Sequence, residues 1–144
     1  MKSITHSLQI DAPAERLWQL TIDVERWPSL FPTITSVARN DGGPMRVGAS
    51  ARIKQPGQPL RVWTVTECQA PRRFVWETRG VGFSMRAIHA ITPIDGTHAT
   101  NALTIELAGP LGPVVGLIAG RQIQRVLEVE NEGFRSAAQA VAHN

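Results

Sequence analysis

Residues 60–107 read LRVWTVTECQAPRRFVWETRGVGFSMRAIHAITPIDGTHATNALTIEL, and this stretch decides the fold. Its runs of Val, Ile, Thr, Phe and Trp are separated by the turn signals Ala70-Pro71, Gly80-Val81-Gly82 and Asp95-Gly96. Short turns between strand-forming runs produce consecutive hairpins, and consecutive hairpins build an antiparallel sheet. The sequence therefore predicts four neighbouring antiparallel strands here.

Upstream of this stretch, the sequence predicts one strand, then two short helices, then two more strands. The segment Asp11-Ala12-Pro13-Ala14-Glu15 is typical of a helix start, because proline suits the first turn and acidic side chains suit its positive end. Asp23 is predicted to cap the second short helix, which Trp27-Pro28 should end. The predicted strands of the whole chain are 3–10, 34–39, 48–55, 60–69, 72–78, 83–92 and 97–107.

Downstream, residues 114–142 predict one long helix. Apolar side chains recur there every three to four residues, among them Ile123, Phe134 and Val141. A long amphipathic helix that follows a sheet must cover one face of it. We therefore predict a single α+β domain over residues 1–144, which is an ordinary length for one domain.

The sheet face beneath this helix should be rich in aromatic side chains. The expected hairpin registers place Val65 opposite Trp76, Glu67 opposite Phe74 and Met85 opposite Trp76. In the last hairpin, a strict two-residue turn would set His89 opposite Ala102. Turning the more apolar face of the last strand inward requires a one-residue bulge, which we favour. The residues predicted on that inward face are Ala99, Leu103, Ile105 and Leu107.

Composition and motifs exclude several classes of protein. The net charge is only +3, and Arg72-Arg73 is the only adjacent basic pair, so we expect no nucleic-acid partner. Cys68 is the single cysteine and is expected to be a half-buried structural residue. No apolar run is long enough to span a membrane, and no leader is visible, so we expect a cytoplasmic protein without stable membrane insertion.

No cofactor or metal is expected either. The chain carries no phosphate-binding loop, dinucleotide fingerprint or nucleophile elbow. Its histidines lie too far apart in sequence to match a metal motif, so no metal site is predicted. These histidines are His6, His89, His98 and His143.

Two features leave alternatives open. His89 falls among apolar neighbours on the inner face, so it is either a satisfied core histidine or a polar contact inside a pocket. Gly112, Gly116 and Gly120 form a stripe at the start of the long helix. That stripe indicates close packing of helix on sheet, a mobile portal beside a cavity, or a segment that contacts a membrane or a second copy.

The order of these blocks resembles the START-like superfamily of polyketide cyclases/dehydrases and lipid-transport proteins, abbreviated SRPBCC. The resemblance spans essentially the whole chain and implies a helix-grip fold: a curved antiparallel sheet wrapped around a long C-terminal helix, with an apolar cavity between them. The blocks that carry it are residues 10–28, 47–57, 63–76 and 89–112, including Ile10-Asp11-Ala12-Pro13 and Trp63-Thr64-Val65-Thr66-Glu67.

The resemblance implies a cavity but no single chemistry. Our leading hypothesis is a protein that binds a small hydrophobic molecule of lipid, polyketide or aromatic type. The alternative is a cyclase or dehydratase in which His89 moves a proton without a metal or nucleotide. A third is an interaction module that uses the exposed Arg39, Arg72 and Arg79, and a homodimer also stays open. The residues predicted to line the cavity are Trp27, Phe31, Trp63, Trp76, Phe83, Met85, His89 and Leu117.

Overall fold

Seven strands form one curved antiparallel sheet in the order β1-β7-β6-β5-β4-β3-β2. The computed structural model describes residues 2–141. The sheet confirms the predicted α+β class, and each predicted strand is present with small changes at its ends. The strands are β1 (Lys2–Ile10), β2 (Ser36–Arg39), β3 (Ser50–Lys54), β4 (Arg61–Gln69), β5 (Arg73–Gly80), β6 (Phe83–Pro93) and β7 (Ala99–Ala108).

Within residues 2–141, three α-helices complete the fold: α1 (Ala14–Ile22), α2 (Trp27–Leu30) and the long α3 (Gly112–Val141). A 3-10 turn over Val24–Arg26 joins α1 to α2. The predicted last residue of α3, Ala142, lies outside the described residues. The 3-10 turn follows Asp23 and ends at Trp27 as predicted for the second short helix, but Trp27-Pro28 does not end the helical segment, because Pro28 lies in the first turn of α2. Proline is tolerated there since a first-turn N–H needs no partner within the helix.

Helix α3 lies across β1 and β7, while α1 and α2 pack against α3 and the adjoining sheet. Its buried face includes Leu127, Phe134 and Ala138, as the apolar spacing predicts. This arrangement of a curved sheet and a long C-terminal helix is the helix-grip architecture that the resemblance implies. It leaves the middle strands β5 and β6 facing α2 and the second half of α3.

The hairpin between β4 and β5 contains a bulge that the sequence did not reveal. Val65 faces Trp76 as predicted, but the register shifts between Val65 and Glu67. Glu67 consequently faces Val75 rather than Phe74, and Cys68 takes the position opposite Phe74. The bulge thus removes Glu67 from the aromatic face and lets it bind Arg73 at 2.5 Å.

The next two hairpins keep the predicted faces with different connections. Gly80 pairs with Phe83, so a two-residue turn replaces the predicted four-residue connection and Trp76 faces Ala87 rather than Met85. A shift of two residues leaves every side chain on its original face. In the last hairpin His89 faces Leu103, which confirms the predicted inner face of β7. Compared with a two-residue turn, this pairing requires one additional residue between the strands. That residue lies in the loop over 94–98 rather than in a bulge, so the predicted bulge was wrong.

A buried amide network ties α3 to the sheet. The Asn131 side chain on α3 donates to Nδ1 of His6 at 2.9 Å and to the carbonyl oxygen of Asn101 at 3.1 Å. The Asn101 amide donates back to Asn131 Oδ1 at 2.9 Å. Asn101 and Asn131 are both fully buried, so these bonds fix the position of α3 along β1 and β7.

The glycine stripe supports the close-packing interpretation. A Cβ added at Gly116 would lie 2.8 Å from Cγ of Lys2, and one at Gly112 would lie 3.3 Å from the backbone of Leu107. The start of α3 therefore lies against β1 and the end of β7 at glycine distance. Gly120 has more room, since its nearest neighbour would be Cδ1 of Ile4 at 3.9 Å.

Two glycines of α3 should respond in opposite ways to alanine. A Cβ at Gly133 would meet the ring of Phe31 and lie 2.6 Å from the carbonyl oxygen of Leu30. We expect Gly133→Ala to lower the free energy of unfolding by about 1–3 kcal/mol, because the backbone at Leu30 would have to move to make room for the methyl group. Gly120→Ala should raise it by about 0.5–1 kcal/mol through helix propensity alone. Urea denaturation of both variants measures the difference, and two effects of the same sign would contradict this packing.

Candidate functional site

Aromatic rings from three different elements meet on the concave face of the sheet. Trp76 lies 5.4 Å from Trp27, ring centre to ring centre, and Phe31 lies 4.9 Å from Phe134. All of these rings are buried, and their mutual angles are those of edge-to-face contacts. We call this set, with Phe74, the aromatic cluster; its members are Trp27, Phe31, Phe74, Trp76 and Phe134.

Each ring reaches the cluster because its element is held in place. Trp27 begins α2 and is anchored by its indole N–H, which donates to the carbonyl oxygen of Leu20 at 3.1 Å. Phe31 follows the last residue of α2, and Phe134 projects from the buried face of α3. Trp76 alternates inward along β5 by the two-residue period of a strand.

His89 is the polar side chain within this apolar set. Its ring lies 5.4 Å from Trp27, 5.8 Å from Phe74 and 6.0 Å from Phe134. The residue is only 5% exposed, and its buried Nδ1 has no hydrogen-bond partner among residues 2–141. Burial lowers the pKa of His89 to about 4, so the imidazole is neutral at pH 7. A neutral imidazole can donate from one nitrogen and accept at the other.

The structure brings together five of the eight predicted lining residues. Trp27, Phe31, Trp76 and His89 belong to or touch the aromatic cluster, and Trp63 adjoins it at 5.9 Å from Trp76. These positions follow from strand alternation and from the apolar periodicity of the helical segments.

The other three are not members of the aromatic cluster, although Met85 packs against the hydrophobic core that contains it. Phe83 and Met85 are half-buried at the start of β6, where the Arg61 guanidinium lies 5.5 Å from the Phe83 ring centre. Leu117 is 87% exposed on the first turns of α3. The structure therefore does not bring Leu117 together with His89. The reason is that the glycines of α3, not Leu117, turn toward the sheet.

Glu130 is a residue of this region that the sequence analysis missed. Its carboxylate accepts a hydrogen bond from the Thr33 hydroxyl at 3.1 Å, and it lies one helical turn before Phe134. The side chain is half-buried by area, but its carboxyl group is enclosed, and this desolvation raises its pKa to about 7. The only signal in the sequence was an acidic residue close to the apolar stripe of the helix.

Cys68 and Arg39, which the sequence analysis also singled out, lie outside the aromatic cluster. Cys68 is half-buried and burial raises the pKa of its thiol, which agrees with a structural role. Arg39, expected to be exposed, instead donates to the carbonyl oxygen of Gly43 at 2.8 Å and lies 3.9 Å from Asp41. Between residues 2 and 141 no cluster of metal-ligating side chains is present. Within the same range, no helix has the length and apolar character needed to cross a membrane.

A comparison with models of known protein families identifies the family of this chain. The model for polyketide cyclase / dehydrase and lipid transport proteins matches residues 1–139. The chain belongs to this family. The SRPBCC resemblance seen in the sequence is thereby confirmed. No curated protein sequence matches the chain.

Solved structures with similar folds include proteins of different activities. The di-domain aromatase/cyclase BexL has a TM-score of 0.72 at 19% identity, covering 100% of this chain and 48% of BexL. Norcoclaurine synthase from Thalictrum flavum, solved with dopamine and hydroxybenzaldehyde, has a TM-score of 0.74 at 14% identity, covering 99% and 88%. A START superfamily protein from Mycobacterium smegmatis has a TM-score of 0.72 at 20% identity, covering 96% and 98%.

These similarities establish the fold of this family member and no shared chemistry, because folds host unrelated functions. The chain spans about half the length of BexL. The fold alone therefore does not separate one function from another. The side chains of the aromatic cluster, together with His89 and Glu130, must do so.

Proposed function

We propose that the protein binds a small, mostly aromatic molecule with one polar group between the sheet and α3, and that His89 supplies the polar contact. The observation that carries this proposal is the buried Nδ1 of His89, which has no partner in the part of the chain described. An unpaired buried polar group costs about 1–3 kcal/mol, which a bound hydroxyl or carbonyl would offset. Membership of a family named for cyclases and lipid transport supports a hydrophobic ligand.

The protonation state of His89 favours binding over catalysis by this residue. A general base works best with a pKa near the working pH. Burial lowers the pKa of His89 to about 4, so at pH 7 its imidazole is a weak base that stays neutral, with one N–H to donate and one nitrogen to accept a hydrogen bond. The imidazole is therefore better suited to orienting a ligand than to proton transfer.

A cyclase-type reaction is the second candidate, and Glu130 is the observation that favours it. Its pKa, raised to about 7 by desolvation, is close to that of an effective acid–base group at neutral pH. If the protein catalyses a proton transfer, the structure supports Glu130 as the group that moves the proton and His89 as the group that orients the substrate. Glu130→Gln would then abolish turnover while leaving ligand binding in place.

The binding proposal is testable with two probes that differ by one hydroxyl group. We expect 2-naphthol to quench the fluorescence of the clustered tryptophans and to bind more tightly than naphthalene. In His89→Leu the preference for 2-naphthol should fall by about 3- to 10-fold, which is the worth of one hydrogen bond, while naphthalene affinity stays unchanged. The leucine variant should fold, because it replaces an unpaired polar ring by an apolar side chain.

His98→Leu is the matched control, since His98 lies on the surface and bonds Asp95. This variant should bind both probes as the unmodified protein does. Equal affinity of the unmodified protein for naphthalene and 2-naphthol, or an unchanged preference in His89→Leu, would refute the role of His89. Native mass spectrometry of the freshly purified protein would identify a ligand carried through purification.

A further inference from the structure

The outward face of the first turns of α3 is apolar, although a surface helix normally turns polar side chains to solvent. Leu117 is 87% exposed and Ile118 is 80% exposed. They stand beside Val114 and Leu111, which are also exposed. Because the glycines occupy the sheet-facing side, these large side chains have no protein surface left to cover them.

A neighbouring turn extends the same apolar surface. Val81 in the β5–β6 turn is 89% exposed. The adjoining Gly82 accepts a hydrogen bond from the N–H of Leu111 at 2.8 Å, so this turn touches the start of α3. We call this surface the apolar tip; its residues are Val81, Leu111, Val114, Leu117 and Ile118.

The charged side chains of the helix segment that carries most of the apolar tip are positive. Residues 107–127 contain no Asp or Glu, and the outward positions that follow Ile118 on the helix carry Arg121 and Arg125. Arg79 precedes the β5–β6 turn and is exposed. A groove of about 490 Å³ beside the tip is lined by Lys2 and Arg121 together with the polar side chains of Ser3, Thr5 and Gln124.

We propose that the apolar tip docks on an anionic lipid surface. Protruding aliphatic side chains ringed by arginine and lysine match an interface in which chains enter the acyl boundary and cations meet headgroup phosphates. The groove lined by Lys2 and Arg121 is placed to receive one such headgroup. This contact is adsorption at the surface, which is consistent with the absence of a spanning helix from residues 2–141.

The charges argue against a second copy as the occupant. A symmetric dimer buries the same surface of both subunits, so Arg79, Arg121 and Arg125 of each copy would meet without an acidic partner from 107–127. Val81, Leu117 and Ile118 are each at least 80% exposed, so these side chains protrude from the surface of the apolar tip. In a protein–protein interface, by contrast, the two surfaces are closely packed against each other.

Co-sedimentation with vesicles tests this docking. We expect the protein to sediment with vesicles of equal phosphatidylcholine and phosphatidylglycerol, weakly with phosphatidylcholine alone, and less as salt is raised. Leu117→Gln/Ile118→Gln should weaken binding to the anionic vesicles by more than about 10-fold. Arg121→Gln/Arg125→Gln should weaken it by about 30-fold, on the basis of the usual contribution of each cation at such a surface.

The matched control uses two hydrophobic side chains that are also exposed but lie at the opposite end of the sheet. Val47 is 61% exposed and Ile94 is 52% exposed, so Val47→Gln/Ile94→Gln removes similar groups. This variant should bind anionic vesicles as the unmodified protein does. Equal melting temperatures of the three double variants show that each is folded.

Four results would overturn the proposal. The first is no sedimentation with anionic vesicles at low salt, and the second is equal weakening by the tip and control variants. The third is a protein that is dimeric by light scattering and becomes monomeric in Leu117→Gln/Ile118→Gln, which would assign the tip to a second copy. Preferential binding of poly-L-glutamate would assign it to an acidic protein instead.

Discussion

Replacing Phe134 with alanine is expected to lower the free energy of unfolding by about 3–5 kcal/mol. The ring has no exposed surface and touches Phe31 from the α2 side and His89 from the sheet. Helix α3 is held in place by the Asn131 network, so it cannot move inward to fill the void. Urea denaturation followed by circular dichroism at constant pH measures the loss.

Phe83→Ala is the matched control for this deletion, because the same group is removed from a half-buried site over Gly80. It should cost about 1–2 kcal/mol, in proportion to the smaller area that the ring buries. The Phe134→Ala void should also bind benzene, so added benzene should raise the denaturation midpoint of Phe134→Ala by more than that of the unmodified protein. Equal losses in the two variants, or no effect of benzene, would mean that α3 collapses onto the sheet.

The faces of the sheet could be predicted from the sequence because strand alternation is local. Trp63, Trp76 and His89 fall on the concave side whatever the length of the turns, provided that each register shift is even. The last hairpin illustrates the opposite case, in which the register shift is odd. An odd shift was needed to bring Leu103 opposite His89, and the apolar character of that face showed it.

The position of each extra residue could not be predicted. One lies in the bulge between Val65 and Glu67, and another lies in the loop over 94–98. Turn dipeptides such as Ala70-Pro71 identify a connection but do not fix its length. The choice between a bulge and a longer loop depends on sheet twist and packing, which involve residues far apart in the chain.

For a related reason, only some residues of the candidate site could be predicted from the sequence. Aromatic side chains on the strands and the apolar spacing of α3 predict the cluster, whereas the enclosure of Glu130 depends on the rotation of α3 about its own axis. That rotation is set by glycines that touch the sheet and by Asn131, whose partners His6 and Asn101 are distant in sequence. The exposure of Leu117 follows from the same rotation.

The buried groups His89 and Glu130 should give this protein an unusual dependence of stability on pH. Burial lowers the pKa of His89 from 6.5 to about 4. Between these values the unfolded chain binds a proton that folded His89 does not, so stability falls as the pH drops from 6.5 toward 4. A group with 5% exposure and this shift contributes about 3 kcal/mol over the whole window.

Glu130 acts in the opposite direction over nearly the same range. Desolvation raises its pKa from 4.5 to about 7, so the folded protein retains a proton that the unfolded chain has released. Stability therefore falls as the pH rises from 4.5 toward 7. Because the Glu130 side chain is half-buried by area, solvent screening reduces its contribution to the free energy of unfolding to about 2 kcal/mol.

Substituting either group alone should reveal the other. Between pH 4.5 and 6.5 the two slopes largely cancel, so the unmodified protein should have a nearly flat profile of unfolding free energy. His89→Leu leaves Glu130 and should lose stability as the pH rises across this range. Glu130→Gln leaves His89 and should lose stability as the pH falls. Urea denaturation at a series of pH values measures all three profiles.

His98→Leu is the control for a histidine at the surface, where Asp95 raises the pKa of His98. The stability contributed by His98 is present below its ordinary pKa and is lost as the pH rises above it. Removing this side chain should therefore leave the flat profile between pH 4.5 and 6.5 intact. Parallel profiles for His89→Leu and Glu130→Gln would show that the two side chains are solvated rather than enclosed beside Phe134. Opposed slopes would establish two buried titrating groups of opposite effect: the neutral His89 that the binding proposal uses and the Glu130 that the cyclase-type candidate uses.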